Sequence, residues 1–270
     1  MQFSPRLAPV LALALALPAA AALAQSQDDV VQGGLLPGWR LASGNYMAGI
    51  QLDLAPHWKT YWRAPGEAGI PPAFDWSGSR NVRSVALHWP SPAIISLNGM
   101  DSIGYRDRLT LPVEVTPADP GQPVELALQM KIGVCNDICM PAALRLSAAL
   151  PAQGRPDPAI EAALRDRPLT AGEAGLQGIG CDLAPISDGL RITARLSLPQ
   201  LGAPETVVFE SADRSVWVAE ATANRQGAVL TAATDLVPSG GAPFLLDRSG
   251  VTVTVLAEGR SVEIKGCPAP

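Results

Sequence analysis

The chain predicts an all-β protein built as two β-sandwiches in series, on three observations. Its longest apolar runs alternate with period two rather than 3.6, as half-buried strands do. Runs of this kind recur between turn clusters on both sides of a proline-rich linker. Glycine and proline number 25 and 26 of 270 residues, above the ordinary combined share of about 12%, and such punctuation suits many short strands.

In chain order, residues 1–24 read as a secretory signal peptide. Arg6 supplies the positive region, Val10 to Leu17 the apolar stretch, and Ala22-Leu23-Ala24 the small-residue cleavage pattern. The mature chain is then expected to begin at Gln25. A retained membrane anchor fits less well, because the apolar stretch is short and broken by Pro9 and Pro18. No later segment approaches membrane-spanning length, so a soluble protein in an oxidising, extracytoplasmic compartment is expected, where disulfides persist.

Residues 25–150 are expected to form the first sandwich, with strands at Tyr46 to Leu54, Val82 to Trp89, Leu109 to Val115, Val124 to Val134 and Leu144 to Leu150. Residues 151–171 read as a linker carrying a short helix from Pro158 to about Asp166. Asp157 is its cap, Pro158 takes the first helical position and Pro168 stops it. Residues 172–270 resume the strand pattern, most clearly where Leu190, Ile192, Ala194, Leu196 and Leu198 alternate with Arg191, Thr193, Arg195 and Ser197. Shorter runs follow at Val207 to Phe209, Val216 to Ala219, Ala228 to Ala232, Val251 to Val255 and Val262 to Ile264.

Composition excludes several functions. The net charge is −5 and there are only three lysines, so neither nucleic acid nor an anionic membrane has an electrostatic footing. No glycine-rich phosphate loop, thioredoxin-type Cys-x-x-Cys or haem-attachment motif is present. His57 and His88 each precede a tryptophan and read as strand-edge residues. Met130 and Met140 fall on the apolar faces of their strands and read as core. Five of the six tryptophans, Trp39, Trp58, Trp62, Trp76 and Trp89, lie in the first half, where they suit core and turn packing. No cofactor or metal is expected.

The chemically pointed feature is Val134-Cys-Asn-Asp-Ile-Cys-Met-Pro141. Before it, Val124, Leu126, Leu128, Met130, Ile132 and Val134 take one face of a strand, leaving Cys135 on the polar face. After it, Ala142, Leu144, Leu146 and Ala148 share a face, and the same register turns Cys139 outward. Both sulfurs are therefore expected at a hairpin tip, pointing away from the core and within reach of each other. A short ring of this kind is easier to reduce than a long relaxed one, so the pair reads as redox-active. A static staple is the competing reading, and a zinc site is short of ligands. Asp137, between the two, disfavours a thiolate by like-charge repulsion. Cys181 and Cys267 bracket the second half and read as its structural disulfide.

Tyr105-Arg-Asp-Arg-Leu-Thr-Leu-Pro-Val113, followed by a cysteine pair ending in Cys139-Met-Pro141, resembles the periplasmic N-terminal domain of DsbD-type thiol:disulfide interchange proteins. His57-Trp-Lys-Thr-Tyr-Trp-Arg63, Pro65-Gly-Glu-Ala-Gly-Ile-Pro-Pro72 and Phe74-Asp-Trp-Ser-Gly78 resemble the ScsB branch of that family, as does the cysteine hairpin. The similarity runs over about residues 40–150, and the second half is similar only in layout. The resemblance implies immunoglobulin-like sandwiches, a periplasmic location, electrons received from a membrane-embedded interchange protein, and thioredoxin-like or disulfide-bearing proteins as acceptors. It implies that Cys139 attacks and Cys135 resolves, an order that chemistry alone leaves open. It also implies a cap loop at Asn98, Gly99, Met100, Asp101 and on to Gly104, just before Tyr105, with Tyr105 and Pro141 flanking the site. Two departures stand out: the membrane and thioredoxin-like domains of full-length members do not follow Pro270, and the cysteines are more tightly spaced. A separate reductant is therefore expected. The rival from another class is a non-catalytic binding or copper-tolerance module in which Cys135 and Cys139 hold Cu(I) or staple the loop. The sequence sets no oligomeric state.

Overall fold

The computed structural model describes residues 26–66, 69–97, 99–240 and 244–270; the signal-peptide reading at 1–24 lies outside them. A short helix α1 (Gln27–Val30) leads into β1 (Val31–Arg40), β2 (Tyr46–Leu54), β3 (Lys59–Tyr61), β4 (Ala73–Asp75), β5 (Val82–Leu87), β6 (Ala93–Leu97), β7 (Met100–Arg106), β8 (Arg108–Pro117), β9 (Glu125–Cys135) and β10 (Cys139–Ala149). Helix α2 (Pro158–Arg165) follows. Then come β11 (Leu169–Thr170), β12 (Gly178–Pro185), β13 (Leu190–Ser197), β14 (Thr206–Ser211), β15 (Val216–Val218), β16 (Thr222–Gln226), β17 (Val229–Pro238), β18 (Val251–Ala257) and β19 (Arg260–Lys265). The protein is all-β and immunoglobulin-like, as expected.

The first sandwich packs a sheet ordered β1-β2-β8-β5 on one ordered β10-β9-β3-β7-β6, with β4 added to β9. Period-two alternation sends Ile50 and Leu52 of β2, Leu111 and Val113 of β8, and Leu126, Leu128, Met130, Ile132 and Val134 of β9 into one core. Trp58 and Trp62, flanking β3, join them. Met140 packs against that core from β10, as its strand register predicts.

Helix α2 begins where its sequence says it should: the Asp157 carboxylate accepts from the N–H groups of Ala159 at 2.8 Å and Ile160 at 3.2 Å. Ile160 is fully buried and rests on β2 at Gly49, where a Cβ would stand 2.9 Å from its Cγ1.

The second sandwich packs β11-β19-β18-β14 on β12-β13-β17-β15, with β16 on β17. Cys181 of β12 and Cys267, just beyond β19, are bonded through that core. Arg248 donates to the Cys181 carbonyl at 2.7 Å, tying the same junction by a second route.

The sandwiches meet along polar and apolar contacts. Arg63 bonds Glu210 and Glu263, Ser91 and Ser261 hydroxyls lie 2.8 Å apart, and Leu256 and Val208 pack on the first core. Beside this junction runs a cleft of about 1,230 Å³ walled by Trp76, Trp89, Phe209 and Trp217.

Several strands differ from expectation. β1 was not anticipated, and it carries Gly33, Gly34, Pro37 and Gly38. Here they lie on an edge strand with a bulge between Leu36 and Trp39, and Gly38 adopts φ 61° there. The segment anticipated as a loop up to Gly104 is a strand from Met100 onward, because β7 pairs with both β3 and β6.

Candidate functional site: a half-covered disulfide at a hairpin tip

Strands β9 and β10 pair in unbroken register from Ala149 with Glu125 to Cys139 with Cys135. Asn136, Asp137 and Ile138 close the tip, with the Asn136 N–H donating to the Ile138 carbonyl at 3.0 Å. The two cysteines thus face each other directly across the ladder and are bonded through sulfur. Among the described residues all four cysteines are paired, Cys135 with Cys139 and Cys181 with Cys267.

Both sulfurs lie on the face away from the core, as the strand register predicts, but they are not equivalent. Cys139 is exposed, whereas Cys135 is fully buried. The face of β9 opposite the core is open along most of its length, as alternation predicts, but its last turn of the ladder is roofed. Cys135 pairs across the ladder with Lys59 of β3. Two residues further along β3, on the same face, Tyr61 extends its hydroxyl to within 2.9 Å of Cys135 Sγ and 3.6 Å of Cys139 Sγ. A disulfide sulfur carries no proton, so the phenol is the donor. Burial raises the pKa of Tyr61, which keeps that donor protonated.

Glycine makes the roof possible. Gly133 sits two residues before Cys135 on the same face, and a Cβ there would meet Ile70 Cβ at 2.8 Å and Tyr61 Cε2 at 3.0 Å. Ile70 and Tyr61 therefore lie directly on the backbone of β9. Lys59 is buried in the same layer. Its ammonium donates to Ser102 Oγ of β7 at 2.8 Å and lies 5.8 Å from the centre of the Tyr61 ring. Desolvation first, and then the charge of Arg106, lowers its pKa.

The residues expected around the site are only partly brought together. Asp137 is exposed on the tip loop and Pro141 pairs with Gly133. Tyr105 turns the other way: its ring stacks on Trp89, and its hydroxyl donates to the Pro90 carbonyl at 2.8 Å. Asn98 lies outside the described residues. Gly99, Met100 and Asp101 are exposed, and Asp101 accepts from the Ser96 hydroxyl. Lys59 pairs with both Arg106 and Cys135, so Met100 stands six residues back along β7 from the level of the sulfur. Lys59, Tyr61 and Ile70 were the residues missed. The alternation of Lys59 and Tyr61 against Trp58, Thr60 and Trp62 was the available signal for the first two.

One sulfur of this site is open to attack and its partner is sheltered beside a hydrogen-bond donor, an arrangement suited to thiol-disulfide exchange. Residues 33–151 match the model of the N-terminal domain of the thiol:disulfide interchange protein DsbD. The whole backbone is similar to the crystal structure of the N-terminal periplasmic domain of ScsB from Proteus mirabilis, with TM-score 0.65 and 20% identity over 92% of this chain and 96% of that one. At that identity the likeness concerns the fold. A C-terminal domain of the Streptococcus agalactiae AgI/II polypeptide BspA aligns at 6% identity and TM-score 0.16, over 87% of this chain and 98% of that one, a likeness that carries no argument. No curated protein matches the chain.

Proposed function

We propose that the protein is a periplasmic thiol-disulfide exchange carrier that takes reducing equivalents from a membrane-embedded interchange protein and passes them to oxidised periplasmic proteins through Cys135 and Cys139. The observation that carries this reading is the asymmetry of the bond: Cys139 is exposed and Cys135 is buried under a hydroxyl donor. A donor thiolate attacks Cys139 Sγ, the Cys135–Cys139 bond breaks, and the electron pair leaves on Cys135. A second donor thiolate then releases Cys139. In the forward half, the Cys139 thiolate attacks an acceptor disulfide and Cys135 resolves the mixed disulfide. The division into a redox unit at 25–150, a linker at 151–171 and a second unit at 172–270, with a structural role for Cys181–Cys267, belongs to the same proposal. So does export through residues 1–24.

The test is partner trapping. A Cys135→Ala variant, expressed in the periplasm, retains mixed disulfides at Cys139 that resolve on reduction into donor and acceptor chains. A Cys139→Ala variant, with its remaining sulfur buried, traps far less. Equal trapping by both, or none by either, would overturn the assignment.

A further inference from the structure

Lys59 is a conspicuous residue for the place it occupies. A lysine is seldom fully buried, and one of only three in the chain is buried here with 5% of its surface exposed. Its hydrogen-bond partner among the described residues is a neutral hydroxyl, Ser102. Its backbone pairs with that of Cys135, so their Cβ atoms stand about 4.5–5.5 Å apart, while its ammonium leans to Ser102 on β7, the strand on the other side of β3 from β9. The Tyr61 ring beneath it carries the hydroxyl that touches Cys135 Sγ.

We propose that Lys59, held by Ser102 beside the Tyr61 ring, stabilises the thiolate that exchange generates on Cys135. The inference rests on the exchange reading and adds a residue to it. When the Cys135–Cys139 bond breaks, negative charge appears on a sulfur shut away from water, where a cation acts through a low dielectric. A leaving thiol of lower pKa departs faster. In the reverse sense, the same cation raises the fraction of Cys135 that is ionised and ready to resolve a mixed disulfide. The other ionisable groups near this face are Tyr61 of β3, Arg106 of β7, the exposed Lys131 four residues back along β9, and Asp137 and Cys139 around the hairpin tip. Arg106 and Asp137 are both exposed, so water screens them more than it screens Lys59.

The experiment compares Lys59→Met and Lys59→Gln, which remove the charge, with Lys59→Arg, which keeps it; Gln also retains a donor for Ser102. In a Cys139→Ala background with Cys181–Cys267 intact, thiolate absorbance against pH titrates Cys135 alone. The neutral variants should raise its midpoint by about one pH unit, a tenfold loss of thiolate below the midpoint, while Arg stays near wild type. With both cysteines restored, reduction by dithiothreitol should slow about tenfold in Met and Gln, and the reduction potential should fall by about 30 mV for each tenfold shift in the equilibrium. Unchanged Cys135 titration in either folded neutral variant overturns the proposal. So does an equal shift in Arg, which would trace the effect to packing. The titration needs no exchange partner, so this inference and the carrier reading fail separately.

Discussion

Arg63 grips Glu210 through two parallel hydrogen bonds, Nε to Oε1 at 2.8 Å and Nη2 to Oε2 at 2.9 Å, and the same Nη2 reaches Glu263 at 2.6 Å. Arg63 follows Tyr61 by two residues. The segment that carries the phenol to the sulfur is thereby fastened to the second sandwich two residues beyond Tyr61.

Arg63→Ala should therefore act at both places. It leaves two carboxylates facing one another without their shared cation, and for side chains about a quarter exposed the loss should be about 1–2 kcal/mol. Arg63→Lys should recover only part of it, since an ammonium cannot reproduce the planar two-bond grip on Glu210. Urea unfolding measures the loss, and a cycle with Glu210→Gln isolates the pair. Additive effects of the two substitutions would show that the contact contributes nothing.

Tyr61→Phe removes one hydroxyl and little else. Folding stability should fall by only about 0.5–1.5 kcal/mol, while reduction of Cys135–Cys139 by a small thiol slows several-fold because the departing sulfur loses its donor. Stopped-flow rates on the oxidised proteins decide it. Identical rates would mean the 2.9 Å contact is bystander packing.

Graded reduction should open Cys135–Cys139 before Cys181–Cys267. Cys139 is exposed, whereas Cys181 and Cys267 are 0% and 1% accessible, and access is one of the terms that sets exchange rates. Peptide mapping of alkylated intermediates gives the order, and prior alkylation at Cys181 would contradict it.

Replacing Cys181 and Cys267 together by alanine should lower stability by about 2–5 kcal/mol and leave exchange at Cys139 intact. The bond closes a separation of 86 residues inside the second core, away from the hairpin tip. A folded double variant unable to exchange would place the second pair in the electron path.

Lys59 also fixes a pH dependence. Its pKa in the folded protein is lowered from 10.5, by desolvation and then Arg106, so between the folded and unfolded values the unfolded chain binds more protons. Stability from this group then rises with pH across that window, and the full penalty applies below it. Lys59→Met should accordingly be more stable than wild type at neutral pH, with the gap closing as pH climbs toward the ordinary lysine range. Denaturation midpoints in paired buffers measure the gap; one that widened with pH would reverse the sign.

How much of this was legible in sequence depends on the range of the interaction. Helix α2 was readable because Asp157, Pro158 and Pro168 act on their own neighbours. Strand β9 was readable because Leu126 to Val134 alternate without interruption, and that register put Cys135 on the face away from the core. Its burial was not readable, since the roof is supplied by Tyr61, 74 residues away, and by Ile70. Tyr105 misled for the same reason: strand pairing with Thr60 turns it to the face opposite the sulfurs. β1 was hidden by glycines and a proline that an edge strand tolerates and a central one would not.

The contact between Gly133 and the side chains of Ile70 and Tyr61 also limits how this site can drift. A methyl group at position 133 would stand 2.8 Å from Ile70 Cβ, an atom that every residue except glycine carries, so shortening the side chain at 70 does not make room. The change is accepted only if residue 70 also becomes glycine or the segment that carries it lifts off β9. Either route uncovers the sulfur, so a lineage that has lost the glycine should also have lost this part of the roof.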